Sequence, residues 1–220
     1  IYGDIFVPKK TPLQKINRIK YYGKDNIKIH LHGINFDESL NEAQKKGIKE
    51  NKIFVHPFDD HDIINGQATI AYEIFNESLK NNLEPDIIIC SVGGGGLISG
   101  ISKYAKTINS NIKVIGVEPI GAASLYNALL ENKPIQLDNI DTFVDGASVA
   151  KIGDKTFEYC RKYVDKLYQI SNEELSHNII TVYENDGIIL EPAGALSISV
   201  LKNLHNDSSI NIENKNIVCI

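Results

Sequence analysis

The chain has 220 residues and a formal net charge of −5, with acidic and basic residues mixed along its length, so no basic stripe offers itself and nucleic acid is not an expected partner. That length allows one good core, or one domain with part of another, and no apolar run approaches the roughly 20 residues that cross a bilayer, so no membrane partner is expected either. The three cysteines, Cys90, Cys160 and Cys219, are widely spaced and odd in number; they read as reduced, buried thiols of a cytoplasmic protein, not as a disulfide frame or a zinc set.

The run from Ile1 to Val7 opens as the interior of a domain would, methionine is absent, and Asn216 to Ile220 reads as a strand without a following turn. The chain is therefore expected to be an internal fragment. Ile5 to Val7 is a short β-type run, and Thr11-Pro12 starts a helix with proline at an early helical position, with Ile16, Ile19 and Tyr22 on one face. Ile27 to His32 alternates as a strand, Asp37 to Lys49 is a polar helix bounded by Gly47, and Ile53 to Val55 is a further strand. Gly66 to Lys80 is helical by the spacing of Ile70, Ile74 and Leu79, and Asp86 to Cys90 is an apolar strand. A helix begins near Leu97, with Ile98, Ile101, Tyr104, Ala105 and Ile108 on its apolar stripe, and Lys113 to Glu118 is the next strand.

Short helices follow at Ser124 to Leu130 and Ile152 to Tyr163, then a strand at Leu167 to Ile170 and a capping box from Ser171 to Glu174 ahead of another helix. Glu191-Pro192 opens a final helix running to about Leu204, and Ile217 starts the last strand. Alternation of this kind predicts an α/β fold whose mostly parallel sheets are covered by helices on both faces.

Four consecutive glycines, Gly93 to Gly96, join the Asp86 strand to the Leu97 helix. Without Cβ atoms they let the backbone point several N–H groups at one spot, and the helix start adds its own unpaired N–H groups, so the junction reads as a cradle for a compact phosphate. A Walker loop would need lysine where Ile101 stands, and a dinucleotide fingerprint counted from Gly93 or Gly94 would put its last glycine at Ile98 or Ser99. A sugar phosphate, a flavin mononucleotide or pyridoxal phosphate remains, beside the plainer alternative of a tight strand-to-helix turn.

The segments SVGGGGLISG (91–100), GVEP (116–119), FVDGASVA (143–150) and EPAGALS (191–197) resemble, in order and spacing, the biosynthetic threonine dehydratases (threonine ammonia-lyases) of the fold-type II pyridoxal-phosphate enzyme family. TPLQKIN (11–17), HGINFD (32–37) and GQAT (66–69) extend the resemblance over essentially the whole chain. It implies two αβ domains, with 1–56 the later half of the small one and 57–220 most of the large cofactor-binding one. It also implies a cytoplasmic homo-oligomer, a dimer or tetramer, that uses pyridoxal 5′-phosphate to convert L-threonine, and serine as well, by β-elimination. The products from threonine would be 2-oxobutanoate and ammonia, at the first step of isoleucine biosynthesis.

In that family the phosphate anchor corresponds to Gly93, Gly94, Gly95, Gly96 and Leu97, a backbone at the ring edge to Gly146, and a carboxylate near the ring to Glu191. Glu191 also suits a helix start followed by proline, and Gly146 an ordinary turn. The family's Schiff-base lysine lies in a Ser-x-Lys-x-Arg-Gly type motif that does not occur here, so this chain by itself is expected to be inactive. Serine racemases pair a glutamate with an aspartate six residues on to hold a divalent cation; here Glu118 is followed by Ser124, and the six histidines show no ligand spacing, so no metal site is expected. A serine racemase or catabolic serine/threonine dehydratase, and a non-catalytic phosphate-binding module, are the alternative readings.

Overall fold

The computed structural model describes residues Ile1 to Ile220, which divide into two compact units, Ile1–Val55 and His56–Ile220. In the first unit β1 (Gly3–Val7) and β2 (Ile27–Leu31) pair in parallel, Gly3 opposite Ile27 and Val7 opposite Leu31. The crossover between them carries α1 (Leu13–Gly23), and α2 (Phe36–Lys49) follows β2. Asn35 caps α2 by accepting from the Glu38 N–H at 3.0 Å, while Glu38 accepts from the Ile34 N–H at 2.9 Å, so the two side chains close the helix start reciprocally. Asp4 on β1 gathers Lys52, His30 and Lys46, and their hydrogen bonds, that of Lys52 foremost, hold its carboxyl well below the usual range.

Three expectations for this unit are corrected. Pro12 is the N-cap of α1, with ψ 135°, and lies outside the helix. Gly47 lies inside α2 and does not bound it, although the helix ends at Lys49 as expected. Ile53 to Val55 forms no strand: β1 and β2 pair only with each other, and a β-prone run without a neighbour has no ladder to join.

The second unit is a four-stranded, wholly parallel sheet in the order β5-β4-β3-β6, built from β3 (Ile87–Ser91), β4 (Lys113–Pro119), β5 (Lys166–Ile170) and β6 (Ile217–Cys219). Successive side chains of a strand face opposite ways, and β3 uses this to feed two cores. Ile88 and Cys90 pack with Ala71, Ile98, Ile101 and Phe157, which come from α3 (His61–Asn81), α4 (Gly96–Ile108) and α6 (Asp154–Tyr163). Ile87 and Ile89 pack on the other side with Leu175, Leu196 and Leu204, which come from α7 (Asn172–Asp186), α8 (Pro192–Ser199) and α9 (Leu201–Asn206). Both faces are covered, which is why the β3 sequence is apolar throughout instead of alternating. The remaining helix, α5 (Ser124–Glu131), follows β4.

Helix α3 begins five residues earlier than expected because Asp60 caps it, accepting from the Asp62 N–H at 2.8 Å. The last expected helix is two, α8 and α9, separated at Val200. Cys219 is half-buried, whereas Cys90 and Cys160 lie in the core, where burial pushes the Cys160 thiol up to about 12 and Cys90 upward as well. Neither core thiol is a nucleophile at neutral pH. No helix is long and apolar enough to cross a membrane.

Topology singles out one edge of this sheet. The chain steps from β3 to β4 to β5 in one direction and then returns to place β6 on the other side of β3. In open parallel sheets, ligands bind outside the carboxyl ends of the strands where the order reverses, and the glycine run sits at the carboxyl end of β3.

Candidate functional site

At the end of β3 the Val92 N–H still completes the ladder, donating to the Val117 carbonyl at 2.8 Å. Beyond it, none of the N–H groups from Gly93 to Leu97 finds an acceptor in the chain, and no side chain caps the start of α4. The carbonyls of the same loop are engaged: Ser124 Oγ donates to Gly93 O at 3.5 Å, Thr156 Oγ1 to Gly94 O at 2.7 Å, and the Ser99 N–H to Gly95 O at 3.0 Å. Donors without partners and carbonyls already satisfied leave a buried turn that can accept an anion, with the positive end of α4 behind it.

A plain turn would not need four glycines, and the packing shows where the surplus goes. Gly95 adopts φ 84° as the N-cap of α4, a conformation costly for residues with a Cβ. A Cβ on Gly94 would lie 2.3 Å from the Phe58 ring, one on Gly96 2.9 Å from Phe58 Cβ, and one on Gly93 3.1 Å from Ala147 Cα. The loop is thus wedged between Phe58 and the backbone of Ala147, with no room for side chains that could cover its N–H groups.

The two other sequence-predicted residues meet beside this wedge. A Cβ on Gly146 would fall 2.8 Å from Glu191 Oε1, so the glycine leaves space for that carboxylate, and its neighbour Ala147 is the residue against Gly93. Glu191 is the N-cap of α8 with Pro192 following it, and Ser91 Oγ donates to Ala193 O at 2.5 Å, tying the end of β3 to the start of α8. All seven expected residues therefore belong to one continuous neighbourhood at the carboxyl end of β3: the glycine run with Leu97, then Gly146, then Glu191.

Sequence reasoning missed the supports of this neighbourhood. Thr156 is fully buried, and its backbone N–H donates to Asp59 Oδ1 at 3.1 Å. The same Asp59 carboxylate accepts from the Asp154 and Lys155 N–H groups at 3.1 and 2.8 Å, so one remote side chain caps the whole first turn of α6, and Gly153 has no Cβ to obstruct it. Phe58 follows His56, whose Nδ1 accepts from the Phe58 and Asp59 N–H groups at 3.2 and 2.8 Å. No local motif announces the role of Asp59, because its partners on α6 lie nearly a hundred residues away.

Glu118 is also fully buried, and it accepts from the Leu125 N–H at 2.7 Å and the Tyr126 N–H at 2.8 Å, one on each oxygen. Burial pushes its carboxyl up to about 8, against the pull of those two N–H bonds. Both oxygens are spent on the start of α5, which carries Ser124 to the Gly93 carbonyl.

The model of the family described as pyridoxal-phosphate dependent enzyme matches residues 3–220. The biosynthetic L-threonine dehydratase of Halalkalibacterium halodurans is 41% identical over all 220 residues, and the chain spans about half the length of the curated relatives it matches, 51% in this case. Among solved structures, the processed form of threonine deaminase isoform 2 from Solanum lycopersicum is 36% identical with a TM-score of 0.84, covering 99% of this chain and 61% of that one. Serine racemase from Dictyostelium discoideum is 27% identical with a TM-score of 0.80, covering 100% of this chain and 68% of that one. A family match over nearly every residue, on a parallel fold whose strand end offers a bare N–H cradle, means that this chain belongs to the pyridoxal-phosphate dependent enzyme family.

Proposed function

We propose that the full-length protein is a threonine ammonia-lyase that uses pyridoxal 5′-phosphate to convert L-threonine, and serine as well, to an oxo acid and ammonia. It would act in isoleucine biosynthesis as a cytoplasmic homo-oligomer. The observation that carries this reading is the set of N–H groups from Gly93 to Leu97 without acceptors, in a loop where added Cβ atoms would collide. Among solved structures, the identity of 36% to a threonine deaminase, against 27% to a serine racemase, favours the dehydratase branch.

When bound, the cofactor supplies the electron sink that lets an amino acid lose its α-proton and its β-hydroxyl. The part of this chain is to hold it. Gly93 to Leu97 would bind the phosphate through main-chain donors that are fixed before binding, so little reorganisation is needed. Gly146 and Glu191 would line the ring side, the missing Cβ of Gly146 giving the Glu191 carboxylate its place. The lysine that joins the cofactor aldehyde is proposed to come from residues outside this chain, since its motif is absent here.

Full-length protein supplied with pyridoxal 5′-phosphate and L-threonine is expected to release 2-oxobutanoate and ammonia in equal amounts. Formation of D-serine from L-serine without oxo acid would favour a racemase. Cofactor binding with no turnover of any hydroxy amino acid would leave a binding module.

A further inference from the structure

We infer that Thr156 is a positioning residue for the phosphate cradle: its hydroxyl holds the Gly94–Gly95 peptide so that the Gly95 N–H faces the anion. This rests on the cofactor reading above and deepens it. A trans peptide points its C=O and N–H in opposite directions, so fixing one fixes the other. Between two glycines, neither side carries a Cβ to resist rotation of the peptide plane. A rotated peptide would present the Gly94 carbonyl oxygen, and repulsion, where the phosphate should sit.

The clamp on that peptide is specific. Thr156 Oγ1 lies 2.7 Å from Gly94 O and 3.2 Å from Gly153 O; one hydroxyl hydrogen serves one of them, and the shorter contact is to the loop. The contact is fully buried, so no water replaces it. Thr156 itself is held from two sides, by Asp59 on its N–H at 3.1 Å and by Ser99 Oγ on its carbonyl at 3.2 Å. Asp59 anchors the first turn of α6, and Ser99 belongs to the first turn of α4, so the hydroxyl is locked in place by both helices that flank the loop.

The test measures, in the full-length enzyme, dissociation constants for pyridoxal 5′-phosphate and for pyridoxal, which shares the ring and aldehyde but lacks the phosphate. Their ratio isolates the cradle, and thermal unfolding of each variant reports stability separately. Wild type is expected to prefer the phosphorylated form strongly. Thr156→Val, nearly the same shape, should lower that preference by about tenfold with little change toward pyridoxal, while Thr156→Ser should keep it. Asp59→Asn, which retains one acceptor oxygen for α6, should lower the preference about two- to threefold by loosening Thr156.

A Thr156→Val enzyme with the wild-type preference, or a Thr156→Ser enzyme as impaired as Thr156→Val, would overturn the assignment. Where Thr156→Val does not fold, an unchanged preference in Asp59→Asn would do the same. A wild-type enzyme that does not distinguish the two compounds would instead overturn the cradle reading, so the two failures are separable.

Discussion

Full-length enzyme carrying Gly94→Val is expected to lose its cofactor on dialysis under conditions where wild type keeps it. The added Cβ would start 2.3–2.4 Å from three atoms of the Phe58 ring, so either the ring or the loop must move. Overpacking of this kind costs about 1–3 kcal/mol of stability. Phe58 also packs its Cβ and backbone against Gly96, so a shift of the whole residue would disturb two of the glycines proposed to hold the phosphate. The dissociation constant for pyridoxal 5′-phosphate should rise by about tenfold or more, which corresponds to roughly 1.4 kcal/mol. The visible absorbance of the dialysed protein and its midpoint of thermal unfolding together check this. A folded variant with full cofactor content would count against the loop as the anchor.

The second large effect is expected at Glu118. Replacement by glutamine leaves one oxygen for two N–H donors and turns an amide N–H₂ toward the other, in a site with no access to water. A cost of about 1–3 kcal/mol follows for an unsatisfied buried donor. The pH dependence has a definite sign. The carboxyl binds its proton up to about pH 8 in the folded state but only to 4.5 as its ordinary value, so its contribution is fully present below 4.5 and is lost as pH rises through 8. Urea unfolding of the full-length enzyme, followed by circular dichroism at pH 5 and pH 8, should show the advantage of wild type over Glu118→Gln shrinking at the higher pH. An advantage that does not shrink between pH 5 and pH 8 would mean that Glu118 is already ionised at pH 5 and that its two N–H bonds outweigh burial.

The parts of this fold that were legible in the sequence are those governed by local chemistry. The apolar run of β3, the glycine run, the Ser171 cap, which accepts from the Glu174 N–H at 3.1 Å, and Pro192 after Glu191 each act within a few residues. The strand expected at Ile53 to Val55 failed for the complementary reason: its composition favours β structure, but a ladder is a property of two strands. At the start of α3 the signal is local, since Asp60 is a preferred N-cap residue type directly before the helix and accepts from the Asp62 N–H. The supports of the site had no such signal. Asp59 caps a helix that starts at Asp154, Thr156 reaches Gly94, and Gly153 and Gly146 are small because of carboxylates far away in sequence. The glycine loop was thus legible from its own residues, while the side chains that bond to it and pack against it became visible only through packing.

The most direct measurement is a crystal structure of the full-length enzyme with pyridoxal 5′-phosphate. The expected result is phosphate oxygens at hydrogen-bonding distance, roughly 2.7–3.2 Å, from main-chain nitrogens between Gly93 and Leu97, with Gly94 O still receiving the Thr156 hydroxyl. Phosphate held by other residues, with the glycine loop touching none of it, would contradict the assignment.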